Sequence, residues 1–156
     1  MSRLNFTAES LDLVKKLAEL GQTKTSIDPT IKALIEIRAS QMNGCTFCVD
    51  MHVKEAKIHG ERELRLHHVA VWRESKLFTD KERAALEWTE LVTRLAPGGI
   101  SDQDYERALT HLSKKELSDL TFMIGTINVW NRINVAFHGV PGTLDKMYGL
   151  EKAGLN

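Results

Sequence analysis

An all-α fold is what the sequence predicts, and three observations predict it. Apolar residues recur at helical spacing along nearly the whole chain; only three prolines and ten glycines punctuate its 156 residues; and no run alternates strongly enough to read as a strand. The length suits one domain over residues 1–156, large enough to bury a core without disulfide staples or a structural metal. Basic and acidic residues balance at 21 each, so no net field draws the chain to nucleic acid or to an anionic membrane. The opening "MSRLNFTAES" lacks the apolar centre of a signal peptide, and Asn128, Asn131, Arg132 and Asn134 interrupt the most apolar segment, Phe122 to Phe137. A cytoplasmic protein with no membrane contact is the expectation, and there a close cysteine pair points to redox chemistry or metal binding rather than a permanent staple.

The elements follow in order. A first helix is expected from about Ala8 to Leu20, with Leu13, Leu17 and Leu20 on one side and Gly21 as its stop. After the polar "QTKTS", Asp28 caps a helix with Pro29 in its first turn and Ile31, Leu34, Ile35, Ala39 and Met42 along one face, until "NG" breaks it. "CTFC" opens the next helix, which runs to His59 and stops at Gly60; another covers roughly Glu63 to Trp72. "TDKE" at Thr79 is a capping box whose helix reaches about Leu95. "APGGIS" breaks the chain, Ser101 and Ser113 each start a helix, the second through the box "SKKE", and the last long helix extends to about Phe137.

The chain's two cysteines lie in "NGCTFCVDMH", four residues before a histidine. At about 100° per residue from Cys45, Cys48 falls near 300° and His52 near 340°, one helix face, while Phe47, Asp50 and Lys54 point roughly the other way. His59 shares the face but sits two turns beyond His52, out of direct reach of the cysteines. A free thiol of pKa about 8.5 is only slightly ionised at neutral pH, yet the thiolate is what reacts. The helix N-terminus contributes about 0.3–1 kcal/mol, less than roughly one pKa unit, and does so for Cys45. A thiol–imidazole pair can shift a thiol by several units, and Cys48 is the cysteine one turn from His52. Cys48 is therefore the expected nucleophile. Its sulfenic acid would condense with Cys45, and a dithiol donor would reopen the disulfide.

Blander readings stand beside this one. The cysteines and His52 could simply pack, or form three sides of a zinc site, although no second cysteine pair or paired histidines complete a tetrad. His67, His68, His111 and His138 read as surface or packing residues, and Trp72, Trp88 and Trp130 as core or interface. No cofactor or resident metal is called for.

The runs "IRASQMNGCTFCVDMHVKEAKIHG", "VWRES", "ERAALEWTELVT" and "NVWNRINVAFHGVPG" resemble the carboxymuconolactone decarboxylase family, specifically its alkylhydroperoxidase D-like (AhpD-like) branch. The resemblance spans most of the chain, with Cys-x-x-Cys-x-x-x-His after "QMNG" as its most specific part. It implies an all-helical fold, a homo-oligomer (trimer or hexamer) and thiol-dependent peroxidase activity on a hydroperoxide substrate, with a lipoyl-type dithiol as reductant. By the same resemblance the second cysteine, Cys48, is peroxidatic, the first, Cys45, resolves, and His52 joins a proton relay. Two positions depart from the family pattern. The relay glutamate expected twelve residues before the first cysteine is Ala33 here, which leaves Glu36, about 60° around the helix, as the substitute, with Glu82 and Glu90 as runners-up expected to face solvent. Phe47 stands where some members place another histidine.

Two competing functions remain at this stage: a lactone decarboxylase or isomerase of the same family, which would not need the cysteine pair, and a non-catalytic, redox-sensing oligomer, favoured by Ala33. The last helix carries apolar groups on more than one side, including Phe122, Ile124, Ile127, Val129, Trp130, Ile133, Val135 and Phe137, which predicts a covering subunit. Asn128, Asn131 and Asn134, recurring every three residues, are expected to bond within that region.

Overall fold

In the computed structural model, which describes residues 2–155, nine α-helices and two short 3₁₀ turns make up the described chain, with no strand among the described residues. The helices are α1 (Phe6–Glu9), α2 (Leu11–Gln22), α3 (Pro29–Met42), α4 (Thr46–Ile58), α5 (Glu63–His68), α6 (Asp80–Thr93), α7 (Asp102–Leu109), α8 (Lys114–Phe137) and α9 (Asp145–Tyr148). The 3₁₀ turns are Val69–Val71 and Leu150–Ala153.

Side-chain caps set the starts of α3, α6, α7 and α8. Asp28 accepts the Thr30 N–H at 2.8 Å, with Pro29 following it in the first turn. Both expected capping boxes are closed, Thr79 with Glu82 and Ser113 with Glu116, and Ser101 caps α7.

Helix α3 is the axis of the molecule, packing on α4, α6 and α8. Ile31 and Ile35 enter one apolar cluster with Ala85, Trp88, Leu112, Leu120 and Ile124; Leu34 and Ile37 enter a second with Leu66, Trp72, Phe78 and Leu86. Its C-terminal end supplies Ala39 to a third cluster, around Cys45, Cys48 and Ile127. A helix apolar on several sides belongs inside a fold, and this explains why Ile37, off the expected single face, is fully buried. Truncating Ile35 to alanine at this centre is expected to lower stability by about 2–5 kcal/mol, through lost burial and the cavity left behind, read as a lower urea midpoint at unchanged slope.

The structure corrects the N-terminal reading. The expected helix from Ala8 is two, broken at Ser10, and Gly21 is not its stop but lies inside α2. A Cβ added at Gly21 would make only ordinary contact, 3.6 Å from the Thr126 side chain of α8, so the glycine is carried in the helix without being required there. Val14, Leu17, Ala18 and Gly21 form the half-buried side of α2, whereas Leu13 and Leu20, expected beside Leu17, are exposed.

Past α8 the chain turns back in elements that the periodicity does not announce. His138 adopts a left-handed backbone, and Gly139 follows where a Cβ would overlap the buried Asn134 side chain, so any larger residue there would have to displace it. The Leu150–Ala153 turn packs on α4. Buried Lys54 of α4 binds both Asp50, at 2.9 Å, and Asp145 of α9, at 2.6 Å, and the Asp145 hydrogen bond, ahead of Asp50, holds its ammonium pKa above the ordinary lysine value despite burial. The C-terminal segment is thereby fastened to the helix that carries the cysteines.

Candidate active site

Asn43 ends α3, and Gly44 reverses the chain at φ +65°, in the left-handed region that glycine adopts without strain. Cys45 follows in an extended conformation as the N-cap of α4, its Sγ accepting the Cys48 N–H at 3.3 Å. Cys45 thus stands just outside the helix rather than on its wheel, while Cys48 and His52 lie on it one turn apart. The two sulfurs are bonded to each other, with Cα atoms 5.4 Å apart. Both cysteines are almost fully enclosed, at 1% and 3% exposure, among Ala39, Ile127, Phe47 and Trp130.

One turn along α4, His52 meets two carboxylates. Its Nδ1 lies 2.8 Å from the Glu55 Oε2 and 3.5 Å from the Glu36 Oε2. Glu55 is the hydrogen-bond partner of Nδ1, and a proton held there would leave Nε2 as the nitrogen able to exchange one. Burial opposes the charge on His52, but Glu36 first and then Glu55 outweigh it, so its pKa stands above the ordinary 6.5. Burial also pushes the Glu36 carboxyl above its ordinary 4.5, against the pull of His52 and Lys32. Histidine and glutamate are therefore a coupled pair, each with its pKa raised above the ordinary value.

Of the sequence-derived candidates, Cys45 and Cys48 form one group, and Glu36 and His52 a second, one helical turn on. Ala33 lines the cleft beside them, and Glu36 faces His52 across the α3–α4 contact. Glu82 and Glu90 do not face solvent as expected. Glu82 is buried between its capping role and Arg65, and Glu90 accepts from Trp72 at 2.8 Å and pairs with Arg38 at 2.7 Å and with Arg73. Burial disfavours the Glu90 carboxylate, but these three donors hold its pKa below the ordinary value, so it is committed to structure. Glu55 was missed by the sequence reading; its position three residues after His52 was the available signal.

A cleft of about 650 Å³ opens on this second group. Glu36, His52, Glu55 and His59 line it together with Arg62, Arg65 and Glu82. His59, exposed, has its Nδ1 2.8 Å from the Glu55 carbonyl and contacts neither cysteine. The remaining histidines are peripheral: His67, His111 and His138 are exposed, and His68 bonds Ser75.

Similarity to known proteins agrees with this geometry. The model of the carboxymuconolactone decarboxylase family matches residues 8–91, which include the cysteine pair, Glu36 and His52. The uncharacterized protein YdfG of Bacillus subtilis (strain 168) is 41% identical over 113 residues, 72% of this chain and 77% of its own. The crystal structure of ATU0492 from Agrobacterium tumefaciens, a protein of unknown function whose name likens it to the antioxidant defence protein AhpD, superposes with a TM-score of 0.86 at 38% identity. That match covers 92% of this chain and 99% of that one. An uncharacterized peroxidase-related protein from Ralstonia eutropha JMP134, with an alkylhydroperoxidase AhpD core, shares the fold at a TM-score of 0.77 and 19% identity, over 88% of this chain and 74% of its own. All-helical, AhpD-like in fold and matched over more than half its length, the chain belongs to the carboxymuconolactone decarboxylase family.

Proposed function

We propose that the protein is a thiol-dependent hydroperoxide reductase in which Cys48 attacks the peroxide, Cys45 resolves, and His52 with Glu36 moves the proton. The observation that carries this reading is the Cys45–Cys48 pair set one helical turn from a histidine held between two carboxylates. The Cys48 thiol gives its proton to the His52–Glu36 pair, and the thiolate attacks the terminal oxygen of the hydroperoxide. The O–O bond breaks, Cys48 becomes a sulfenic acid, and the departing alkoxide takes a proton from the pair to leave as alcohol. Cys45 then attacks the sulfenic sulfur, closing the disulfide and releasing water. A dithiol, of lipoyl type by family resemblance, reopens it by exchange and leaves oxidised. The upward shift of both the His52 and Glu36 pKa values is the direction wanted in groups that must take up a proton and return it.

This reading is tested by mixing fully reduced protein with a hydroperoxide and titrating thiols. One equivalent of peroxide is expected to remove both thiols of a chain, and retention of both after prolonged exposure would reject it. A lactone decarboxylase has no use for the disulfide; a redox sensor would give the same titration and is separated by turnover.

The same proposal includes a homo-oligomer, trimer or hexamer, in the cytoplasm. Among the described residues no helix is long and apolar enough to cross a membrane. Ile124 and Ile127 of α8 are buried within the chain, but Phe122 is 66% exposed, and Val129, Val135 and, on α2, Leu13 and Leu20 are exposed too. A second copy would cover these groups. Sedimentation at micromolar concentration should give the oligomer for the wild type and a smaller species for Phe122→Asp; a monomeric wild type would refute the assembly.

A further inference from the structure

Beside the cysteines, between the end of α3 and α8, lies a polar network that the proposed chemistry does not use. The Asn43 amide donates to the Asn128 Oδ1 at 2.6 Å and to the Asn131 Oδ1 at 2.9 Å. Asn131, fully buried, donates in turn to the Ser40 Oγ at 2.9 Å, and Asn128 to the Thr93 Oγ1 at 3.1 Å. The Arg132 guanidinium donates to the Asn128 Oδ1 at 3.1 Å. Ser40 also takes the Cys45 N–H on its carbonyl, at 3.0 Å. Ser40 and Asn43, which bracket the end of α3 just before Cys45, are thus tied to the same two asparagines of α8.

Such a network is a costly way to hold two helices together. Asparagine is a mediocre helix former, its buried amide must be fully bonded, and apolar side chains of similar volume would pack α3 on α8 as well or better. What apolar packing would not supply is a directional side-chain hold across to α8 on a turn that its own backbone bonds, Gly44 N–H to the Gln41 carbonyl and Cys45 N–H to the Ser40 carbonyl, tie only to α3.

We infer that Asn43, gripped by Asn128 and Asn131, is a positioning residue for the resolving thiol. It fixes the turn so that the Cys45 sulfur stays within bonding reach of Cys48 throughout the cycle. The inference rests on the peroxidase reading for its place in a catalytic cycle, but the property it describes, the effective concentration of one thiol at the other, belongs to the pair itself. The bond at stake is Cys45–S–S–Cys48, formed from the Cys48 sulfenic acid and the Cys45 thiol with loss of water.

The test is Asn43→Ala, with Thr93→Val as a milder variant that loosens Asn128 from the far end of the network. In Asn43→Ala the first oxidation of Cys48 by hydrogen peroxide should keep its wild-type rate, since Asn43 touches neither Glu36 nor His52. Disulfide closure should slow about tenfold, the equivalent of about 1.4 kcal/mol, and dimedone should trap correspondingly more sulfenic acid on Cys48. Equilibration against dithiol redox buffers should give a reduction potential about 30 mV less negative, the two-electron equivalent of the same tenfold loss. Thr93→Val should move both quantities the same way by less, and it decides the matter if Asn43→Ala does not fold. An unchanged closure rate and potential in a folded variant would overturn the inference, as would equal slowing of both steps at unchanged potential. Because the potential is measured without peroxide, it judges the clamp even if no hydroperoxide proves to be a substrate.

Discussion

Replacing Cys48 by serine is expected to abolish peroxide consumption, lowering the rate by roughly a thousandfold or more, because the hydroxyl left behind is a far weaker nucleophile at neutral pH. Cys45→Ser should behave differently. With no resolving thiol it should undergo one oxidation at close to the wild-type rate and stop, leaving a sulfenic acid on Cys48 that dimedone labels and peptide mass spectrometry locates. Both cysteines are equally enclosed, so exposure does not distinguish them. The difference comes from placement: Cys48 lies one turn from His52, whereas Cys45 is an N-cap residue with only the helix terminus to stabilise its anion. A label on Cys45 in Cys48→Ser, at the wild-type rate, would reverse the roles and make the helix end the activating group.

The second large effect is expected at the proton pair. His52→Ala should slow the first oxidation by roughly 10²- to 10⁴-fold at neutral pH and move the pH of half-maximal rate upward, toward the ordinary thiol value of about 8.5, so that alkaline buffer partly restores activity. Glu36→Gln acts through His52. Glu36 is the largest influence raising the His52 pKa, so its removal should lower the imidazole titration midpoint, observable by NMR on reduced protein. The sign for stability follows. A histidine whose folded pKa is raised contributes stability that is fully present below its unfolded value, near 6.5, and is lost as pH rises through the elevated folded value. The stability difference between wild type and His52→Ala should therefore shrink as pH increases across that window. An unchanged His52 midpoint in Glu36→Gln would separate Glu36 from the relay and leave Glu55, at 2.8 Å, as the histidine's carboxylate partner.

Much of the fold was legible because its signals are local. Capping boxes at Thr79 and Ser113, Asp28 before Pro29, and the "NG" ahead of Cys45 each mark a helix end through groups within a few residues of one another, and all of them appear where expected. Gly21 misled because a glycine can end a helix or be carried inside one, and α2 runs on past it while packing on α8, far along the chain. Glu90 misled in the same way: its partners Arg38, Trp72 and Arg73 come from α3 and from the segment before α6, and no helical wheel records them. The asparagine stripe on α8 was visible as a pattern, but its partners Ser40, Asn43 and Thr93 required the fold. The C-terminal α9 and the turn after it escaped notice because each is a single helical turn, too short to show a period; α9 is secured instead by Lys54, and the turn by burying Leu150 and Ala153 against α4.

The candidate site divides along the same line. Cys45, Cys48 and His52 lie within eight residues, and helical geometry alone places Cys48 beside His52. Glu36 depended on the rotation of α3 about its own axis. With Ile35 and Ile31 turned toward α6 and α8, and Leu34 and Ile37 toward the second core, the side at Glu36 is left facing α4 and its histidine. That rotation brings a carboxylate to the site although Ala33 occupies the position where the family pattern has one.

Catalytic turnover is the central claim, and a count of turnovers tests it most directly. Reduced protein is mixed with an excess of cumene hydroperoxide and dihydrolipoamide, and alcohol formed is measured per cysteine pair against a protein-free control. The account predicts many equivalents of alcohol per chain, all lost in Cys48→Ser. A single equivalent per chain, followed by a stable Cys45–Cys48 disulfide that dihydrolipoamide does not reopen, would contradict it and identify the pair as a redox-sensing or structural element.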